Sequence, residues 1–255
     1  MATAIQATQP LGQVRSRYDH VFFPGMALLM LATVFFGFAR TYYLAGVFKS
    51  PLPNWLIHVH GAAFSCWVLL LITQTSLVAA GRVDVHRRLG LVGFGLACLM
   101  VILGTLAATD SLRRALGPGG PARGTDPKTF YIIPLTDMLI FGTLIFFAFR
   151  ARFHPPAHKR LMLIATVALL SAAVARWPIG LIRHHPFWVT LLVTYGFLVL
   201  VVTYDLWTTG IVHRATIWAS VFMIVMQQVR VPLGQTSAWH AFATWAQNLA
   251  RTIHR

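Results

Sequence analysis

The stretch that decides the fold is residues 58–90, HVHGAAFSCWVLLLITQTSLVAAGRVDVHRRLG. An apolar run opens with two histidines and ends in a short basic turn at Gly81, and a second apolar run begins at His86. From His60 to the turn is about 20 residues, or roughly 30 Å of α-helix, the thickness of the hydrocarbon core of a bilayer. The stretch therefore predicts two membrane-spanning helices joined by a turn at one membrane face.

The composition of the whole chain agrees with a membrane environment. The chain is 57% hydrophobic and only 11% charged, which excludes an ordinary soluble domain. The net charge of +15 does not indicate a nucleic-acid partner, because the basic residues lie mostly at the ends of apolar runs, where membrane proteins place them. The two cysteines, both inside apolar runs, exclude a disulfide framework and a cysteine zinc site. The expected partner is the lipid bilayer.

Seven apolar runs are each near the length needed to cross a bilayer. They cover residues 21–47, 55–80, 87–109, 130–149, 159–182, 187–210 and 215–233. We therefore predict an all-α polytopic protein whose bundle of about seven transmembrane helices occupies residues 21–233. A polar N-terminal segment, residues 1–20, precedes the bundle.

Residues 234–255 have a different pattern, which predicts an amphipathic helix lying on the membrane surface. The apolar residues there recur at intervals of three and four: Trp239, Phe242, Ala246, Leu249 and Ile253. Thr236 or Ser237 is the expected N-cap of this helix.

The short loops predict the orientation of the bundle. Arginines and lysines cluster in the loops near residues 82–88 and 150–160, and such clusters favour the cytoplasmic side. We therefore expect these two loops in the cytoplasm of a bacterium, with the protein in the inner membrane. The ends of the helices remote from these loops form the predicted outer half.

Histidines at the two membrane boundaries are candidate ligands for a metal or a haem. One layer, at the outer boundary, contains His58, His60, His184 and His185. The other layer, at the cytoplasmic boundary, contains His86, His158 and His213. Boundary histidines can equally be interfacial residues without a ligand. The outer set is the candidate metal site for zinc or iron.

Two stripes of residues point into the bundle. His60, Trp67 and Gln74 are seven residues apart and so share one face of their helix, and polar groups on one face of a membrane helix normally face other helices. On the following helix a stripe of small residues continues from His86, and it would let a helix or a flat cofactor approach closely. Its members are Gly90, Gly93, Ala97 and Gly104.

Charged residues inside the spans form a second candidate site. Asp137 is the one acidic residue in the middle of a span, and three arginines lie at a comparable depth: Arg40, Arg176 and Arg230. An ionised group in a spanning helix is costly unless it is paired or wet, so we predict that Asp137 pairs with Arg176 or Arg40. The excess positive charge suits a quinone carbonyl or a small anionic ligand. We expect a polar, arginine-lined cavity in the outer half, with Asp137 and Arg176 as its catalytic residues; the alternative is that the arginines only snorkel to the headgroups.

The HxHG sequence at residues 58–61, the glutamine Gln74 within the helix and the HRRLG turn at residues 86–90 resemble small bacterial multi-helix membrane cytochromes of the b type. The resemblance covers roughly residues 55–105, with an echo at 155–180. It implies that histidines on neighbouring helices ligate haem b and that electrons pass to or from a quinone. By this resemblance His60 and His86 are haem ligands, and the candidate partners are His58, His158 and His184.

The leading hypothesis is therefore a haem-binding redox protein of the membrane. Its candidate cofactor-binding residues are His58, His60, His86, His158, Arg40 and Gln74. A second hypothesis is a histidine-bound zinc or iron hydrolase or hydroxylase that acts on a lipid, with Asp137 as base or ligand. A third is non-catalytic: a small transporter, or an accessory subunit that binds other subunits of a membrane complex.

Overall fold

A computed structural model describes residues 18–51, 54–114 and 126–253 of the chain. These residues form ten α-helices and one π-helical turn, Ala39–Tyr43, which continues α1. The helices are α1 Asp19–Phe38, α2 Trp55–Ala79, α3 Val83–Arg113, α4 Pro127–Arg150, α5 Pro155–Ala168, α6 Ser171–Val174, α7 Gly180–His184, α8 Pro186–Thr209, α9 Arg214–Leu233 and α10 Ser237–Ile253.

Seven of the helical segments are long and apolar enough to span a membrane, which confirms the prediction of an all-α polytopic membrane protein. The spans are α1 with its π turn, α2, α3, α4, α5 with α6, α8 and α9. Of the predicted N-terminal segment, residues 1–17 lie outside the described residues.

Local sequence features set the helix ends. Asn54 caps α2 by accepting a hydrogen bond from the Ile57 N–H at 3.0 Å, and Asp126 caps α4 through the Thr129 N–H at 2.8 Å. Proline occupies the first turn of α4, α5 and α8, where its missing N–H costs nothing. Gly81 and Gly210 adopt positive φ at the ends of α2 and α8, which a glycine does without strain.

Helices α1 to α5 each pack against the next one along the chain, and α5 lies at the centre of the bundle. It contacts α1, α4, α8 and α9, and every residue from Leu163 to Ala168 is buried. A helix that is apolar on all sides belongs in such a position. α1 and α6 approach so closely that a Cβ added at Gly37 would overlap the Ala173 carbonyl.

The bundle has two ends, which we name after the elements found there. At the Gly81 end α1 begins, α2 turns into α3, α4 turns into α5, and α8 turns into α9. At the α10 end the π turn, α6 and α7 lie near the ends of α3, α4 and α9 that are remote from Gly81. The positive-inside pattern predicts that the Gly81 end is cytoplasmic.

The fifth predicted span, residues 159–182, is not one continuous helix. The helix stops at Ala168, resumes for one turn in α6, and is followed by the separate short α7. Pro178 lies between α6 and α7, where its ring and missing N–H prevent the helix from continuing.

The amphipathic helix predicted in residues 234–255 is present as α10. Its small residues Ala243, Ala246 and Ala250 are buried and face α3 and α4. Trp245, by contrast, is exposed, as are Phe242 and Leu249. Thr236 caps the helix, because its Oγ1 accepts a hydrogen bond from the Trp239 N–H at 3.2 Å. α10 therefore rests on the bundle through alanines and presents its larger apolar side chains outward.

Candidate functional site

The α2–α3 turn brings Gln74 against His86. When the Gln74 amide is oriented so that its oxygen accepts from the Gly90 N–H at 3.0 Å, its nitrogen lies 2.6 Å from His86 Nδ1. In this orientation the amide nitrogen donates to Nδ1, so the neutral imidazole carries its own proton on Nε2. Nε2 is the nitrogen left for another partner, and the ring would bind a metal through it only in the other tautomer, with the Gln74 amide turned over.

His158, in the first turn of α5, faces His86. The ring centroids of the two imidazoles are 6.3 Å apart and their planes are nearly perpendicular, at 79°. His158 Nδ1 lies 2.8 Å from the Ala148 carbonyl oxygen. A carbonyl accepts hydrogen bonds only, so Nδ1 carries the proton and Nε2 keeps its lone pair.

The two histidines line a cavity of about 610 Å³ at the Gly81 end, which we call the histidine cavity. That volume lies within the ordinary range of small-molecule and cofactor sites. Its walls are mostly apolar and aromatic and include Trp67, Phe94 and Phe149. Gly90 and Gly93, from the predicted small-residue stripe, line the cavity beside His86. An added Cβ would have ordinary contacts at Gly90 but would press on Leu70 Cδ2, 3.0 Å away, at Gly93.

Cationic groups surround the cavity at the membrane boundary. Arg87, Arg152 and Lys159 all contribute to its lining. Lys159 pairs with Asp19 at 2.5 Å, while the Arg152 guanidinium lies over the Phe149 ring at 4.4 Å and has no carboxylate partner among the described ion pairs. The lining therefore keeps a surplus of positive charge, which suits a carboxylate-bearing ligand.

The histidine cavity is distinct from the arginine-lined cavity that the sequence predicted around Asp137 in the outer half, which stays a prediction. Around Asp137 the structure shows direct pairing. Asp137 Oδ1 accepts from Arg230 Nη1 at 2.5 Å, and its Oδ2 accepts from Ser171 Oγ at 2.9 Å. Both carboxylate oxygens are engaged and Asp137 is buried, whereas Arg230 Nε has no hydrogen-bond partner among the described residues.

The predicted partner of Asp137 is wrong: the arginine is Arg230, not Arg176 or Arg40. α9 packs directly against α4, so a residue near its end reaches Asp137. Arg176 instead bonds to the Ala172 carbonyl at 2.6 Å, with its guanidinium over Phe38. Arg40, in the π turn, lies over Phe48. Depth along the helices gave all three arginines as candidates, but depth does not say which helices are neighbours.

The outer histidines are not gathered into one multi-ligand site. In residues 18–51, 54–114 and 126–253, no three His, Cys, Asp or Glu side chains lie together in a metal-binding arrangement. His58 packs against Tyr42, and His184 and His185 are exposed around the short α7. The predicted metal set His58, His60, His184 and His185 therefore does not form a cluster of three or more ligands.

His60 occupies a different environment. Its ring lies 4.2 Å from that of Phe64, and its Nδ1 is buried with no hydrogen-bond partner among the described residues. Arg176 is close enough to act on it electrostatically. Below it on the predicted stripe, Trp67 is buried and donates to Thr166 Oγ1 at 3.2 Å, and Gln74 lines the histidine cavity. The stripe faces the bundle interior, but only Trp67 and Gln74, and not His60, line the histidine cavity.

Sequence reasoning missed the residues that close the cavity at the boundary, Asp19 and Lys159. Their signal was the HKR sequence at residues 158–160, in which a basic residue directly follows the candidate ligand.

Comparison of the chain with protein-family models, with curated proteins and with solved structures finds no match.

Proposed function

We propose that this integral membrane protein binds haem b in the histidine cavity, where His86 and His158 would hold it, and that it works as an electron-transfer protein. The observation that carries the proposal is the pair of imidazoles, which come from different helices, lie close together and line one cavity. Because a bond from a metal to an imidazole nitrogen is about 2 Å long, their centroid separation of 6.3 Å leaves room for one metal ion between the rings.

The other residues of the cavity fit the same group. His158 has its Nδ1–H bonded to the Ala148 carbonyl, which is how proteins orient ligating imidazoles. His86 would be held in the same way once the Gln74 amide turned its oxygen toward Nδ1–H. Gly90 leaves space for a flat ring system beside His86, because an added Cβ there would meet its nearest neighbour at an ordinary 3.7 Å. Arg87 and Arg152 supply positive charge for carboxylates at the membrane boundary.

The chain would contribute ligation, orientation and electrostatics, whereas the bound haem would supply one-electron chemistry. Gln74 and the Ala148 carbonyl fix the two ring orientations. Trp67, Phe94 and Phe149 keep water from the cavity walls. Low polarity and surplus positive charge both influence a reduction potential, so substitutions at Arg87 or Arg152 are expected to change it.

His60 is not part of this ligand pair. It lies 14 residues before Gln74 on the same helix, or about 21 Å along the axis, and therefore cannot share an ion with His86. The buried Nδ1 of His60 and the nearby Arg176 remain a candidate contact for a quinone or a small anion that exchanges electrons with the cavity. Residence in the bacterial inner membrane, with the Gly81 end in the cytoplasm, belongs to the same proposal.

The test is the absorption spectrum and metal content of the protein purified in detergent and titrated with haem. A Soret band with the form expected of two histidine ligands, saturating at one haem per chain, supports the proposal. A colourless protein that retains stoichiometric zinc or iron favours the hydrolase or hydroxylase. A protein that binds neither haem nor metal favours the transporter or accessory subunit.

A further inference from the structure

The protein-facing side of α9 is rich in polar groups for a membrane-spanning helix. Six of its residues are buried: Thr216, Ala219, Ser220, Met223, Gln227 and Arg230. Four of these six have a polar or charged side chain. Polar groups that face the interior of a membrane bundle commonly belong to a path for ions or protons.

Each end of this stripe, which we call the α9 polar stripe, bonds to a buried carboxylate. At the Gly81 end Thr216 Oγ1 donates to Asp205 Oδ2 at 2.6 Å, and the same carboxylate is paired with Arg160. Toward the α10 end Arg230 pairs with Asp137. Thr216 and Arg230 are 14 residues apart, or about 21 Å along the helix. The stripe thus links two carboxylates across most of the membrane.

The middle of the stripe contains polar atoms that the rest of the chain does not satisfy. Ser220 Oγ, both amide atoms of Gln227 and Arg230 Nε are buried and have no hydrogen-bond partner in the described part of the chain. Buried polar groups in native proteins are bonded to protein or to internal water, and inside a bilayer an unsatisfied group is especially costly. These atoms form two places that favour water, one at Ser220 and one at Gln227 and Arg230.

Met223 separates the two places. It lies between Ser220 and Gln227 on the same face and is completely buried. Its thioether side chain is unbranched and adaptable, so it can move aside more easily than a branched or aromatic residue. The separation makes the stripe a restricted path and not an open pore.

We propose that the α9 polar stripe binds internal water on both sides of Met223 and conducts protons slowly between Asp205 and Asp137, with Met223 as the constriction. Each water accepts one proton from its neighbour and passes one on, so the path needs no oxidant, reductant or other reactant. None of the stripe residues lines the histidine cavity. The proposal is therefore independent of haem binding.

The experiment measures proton flux into liposomes that contain the purified full-length chain and a pH-sensitive dye, driven by a potassium gradient with valinomycin. We expect wild-type flux above that of protein-free vesicles. Gln227→Leu and Ser220→Ala should each lower it several-fold. Met223→Ser, which replaces the constriction with a small hydroxyl, should raise it several-fold.

Gln228→Leu is the matched control, because Gln228 is the next residue on α9 but is exposed and bonds to Tyr195. It should conduct like the wild type. Flux equal to that of protein-free vesicles in both the wild type and Met223→Ser overturns the proposal, and so does wild-type flux in Gln227→Leu. If Met223→Ser fails to fold, the proton flux of Gln227→Leu compared with that of Gln228→Leu still tests the proposal. A higher melting temperature in Gln227→Leu with unchanged flux shows that the amide is dry and does not conduct.

Discussion

The histidine cavity and the Asp137–Arg230 cluster place polar groups inside the same membrane bundle, but they are packed differently. At the Gly81 end His86 and His158, with ring centroids 6.3 Å apart, line a cavity of about 610 Å³. Toward the α10 end Asp137, Arg230 and Ser171 bond directly to one another. Helix depth and residue type gave both groups as candidate sites. Whether there is room for a ligand depends on what lies between the polar groups.

α3 shows the physical origin of the difference, because its small-residue stripe passes both regions. At Gly90 an added Cβ would meet its nearest neighbour, the Gln74 side-chain amide, at an ordinary 3.7 Å. At Gly104 an added Cβ would overlap Met138 Sδ. The same residue type therefore leaves space at one end, and at the other it admits a large side chain from α4. A stripe of small residues predicts close approach, but not whether a neighbouring helix or a ligand makes use of it.

The largest expected effect tests the Asp137–Arg230 cluster. Asp137→Ala or Arg230→Ala removes one partner of a buried ion pair and leaves the other uncompensated, which should lower the free energy of unfolding by about 3–5 kcal/mol. The double variant should lose less than the sum of the single losses, because the partners are in contact. Denaturant titration in mixed micelles measures all three values.

Arg176→Ala is the control for this prediction. Arg176 is exposed and bonds only to the Ala172 carbonyl among its described hydrogen bonds, so its removal should change stability by no more than about 0.5 kcal/mol. Strict additivity of the Asp137 and Arg230 effects, or an Arg176 effect as large as theirs, would mean that the pairing is misassigned.

An intermediate effect compares the two regions along α3. Gly104→Ala forces Met138 to move within a packed interface and should cost about 1–3 kcal/mol. Gly90→Ala meets only ordinary contacts and gains helix propensity, so it should be neutral or slightly stabilising. Melting temperatures of the two variants in one detergent check the contrast. The reverse order would show that the cavity end is the more tightly packed one.

The smallest effect concerns the pH dependence at the Gly81 end. Burial, followed by the charge of Arg160, holds the pKa of His213 below its ordinary value, and His213 Nδ1 accepts from the Ala215 N–H to cap α9. The unfolded chain therefore binds this proton at a higher pH than the folded one, so stability should fall as the pH drops below about 6.5.

His213→Asn retains an acceptor for the cap but does not titrate in this range. The variant should lose part of the decline of melting temperature between neutral and mildly acidic pH. An identical pH profile of melting temperature for wild type and variant would show that His213 does not contribute to the pH dependence of stability.

The sequence was sufficient for the architecture because spanning helices are long, apolar and bounded by recognisable polar turns. It predicted seven spans, and the segment after Gly234 as an amphipathic helix, and the structure shows both. It failed at residues 159–182, where the chain stops and restarts its helix around α6 and Pro178. α6 packs against α1 and α8, and these contacts are not visible in the local sequence.

The candidate site was harder to predict because it depends on which helices are neighbours. His86, His158 and Gln74 were all candidates, but nothing in their spacing pairs His86 with His158 in place of His60. Asp137 was correctly placed in the interior and wrongly paired, since Arg40, Arg176 and Arg230 are equivalent by depth alone. The packing of α9 against α4 decides between them, and that contact is not encoded in any local pattern.

The central claim is that His86 and His158 form one ligand pair, and the most direct measurement is the visible spectrum of four alanine variants titrated with haem. His86→Ala and His158→Ala should each lose the spectrum of two histidine ligands, because each removes one side of the pair. His58→Ala and His60→Ala should keep it, since both residues lie near the other end of α2. Loss of that spectrum in His60→Ala, with its retention in His86→Ala and His158→Ala, would contradict the account.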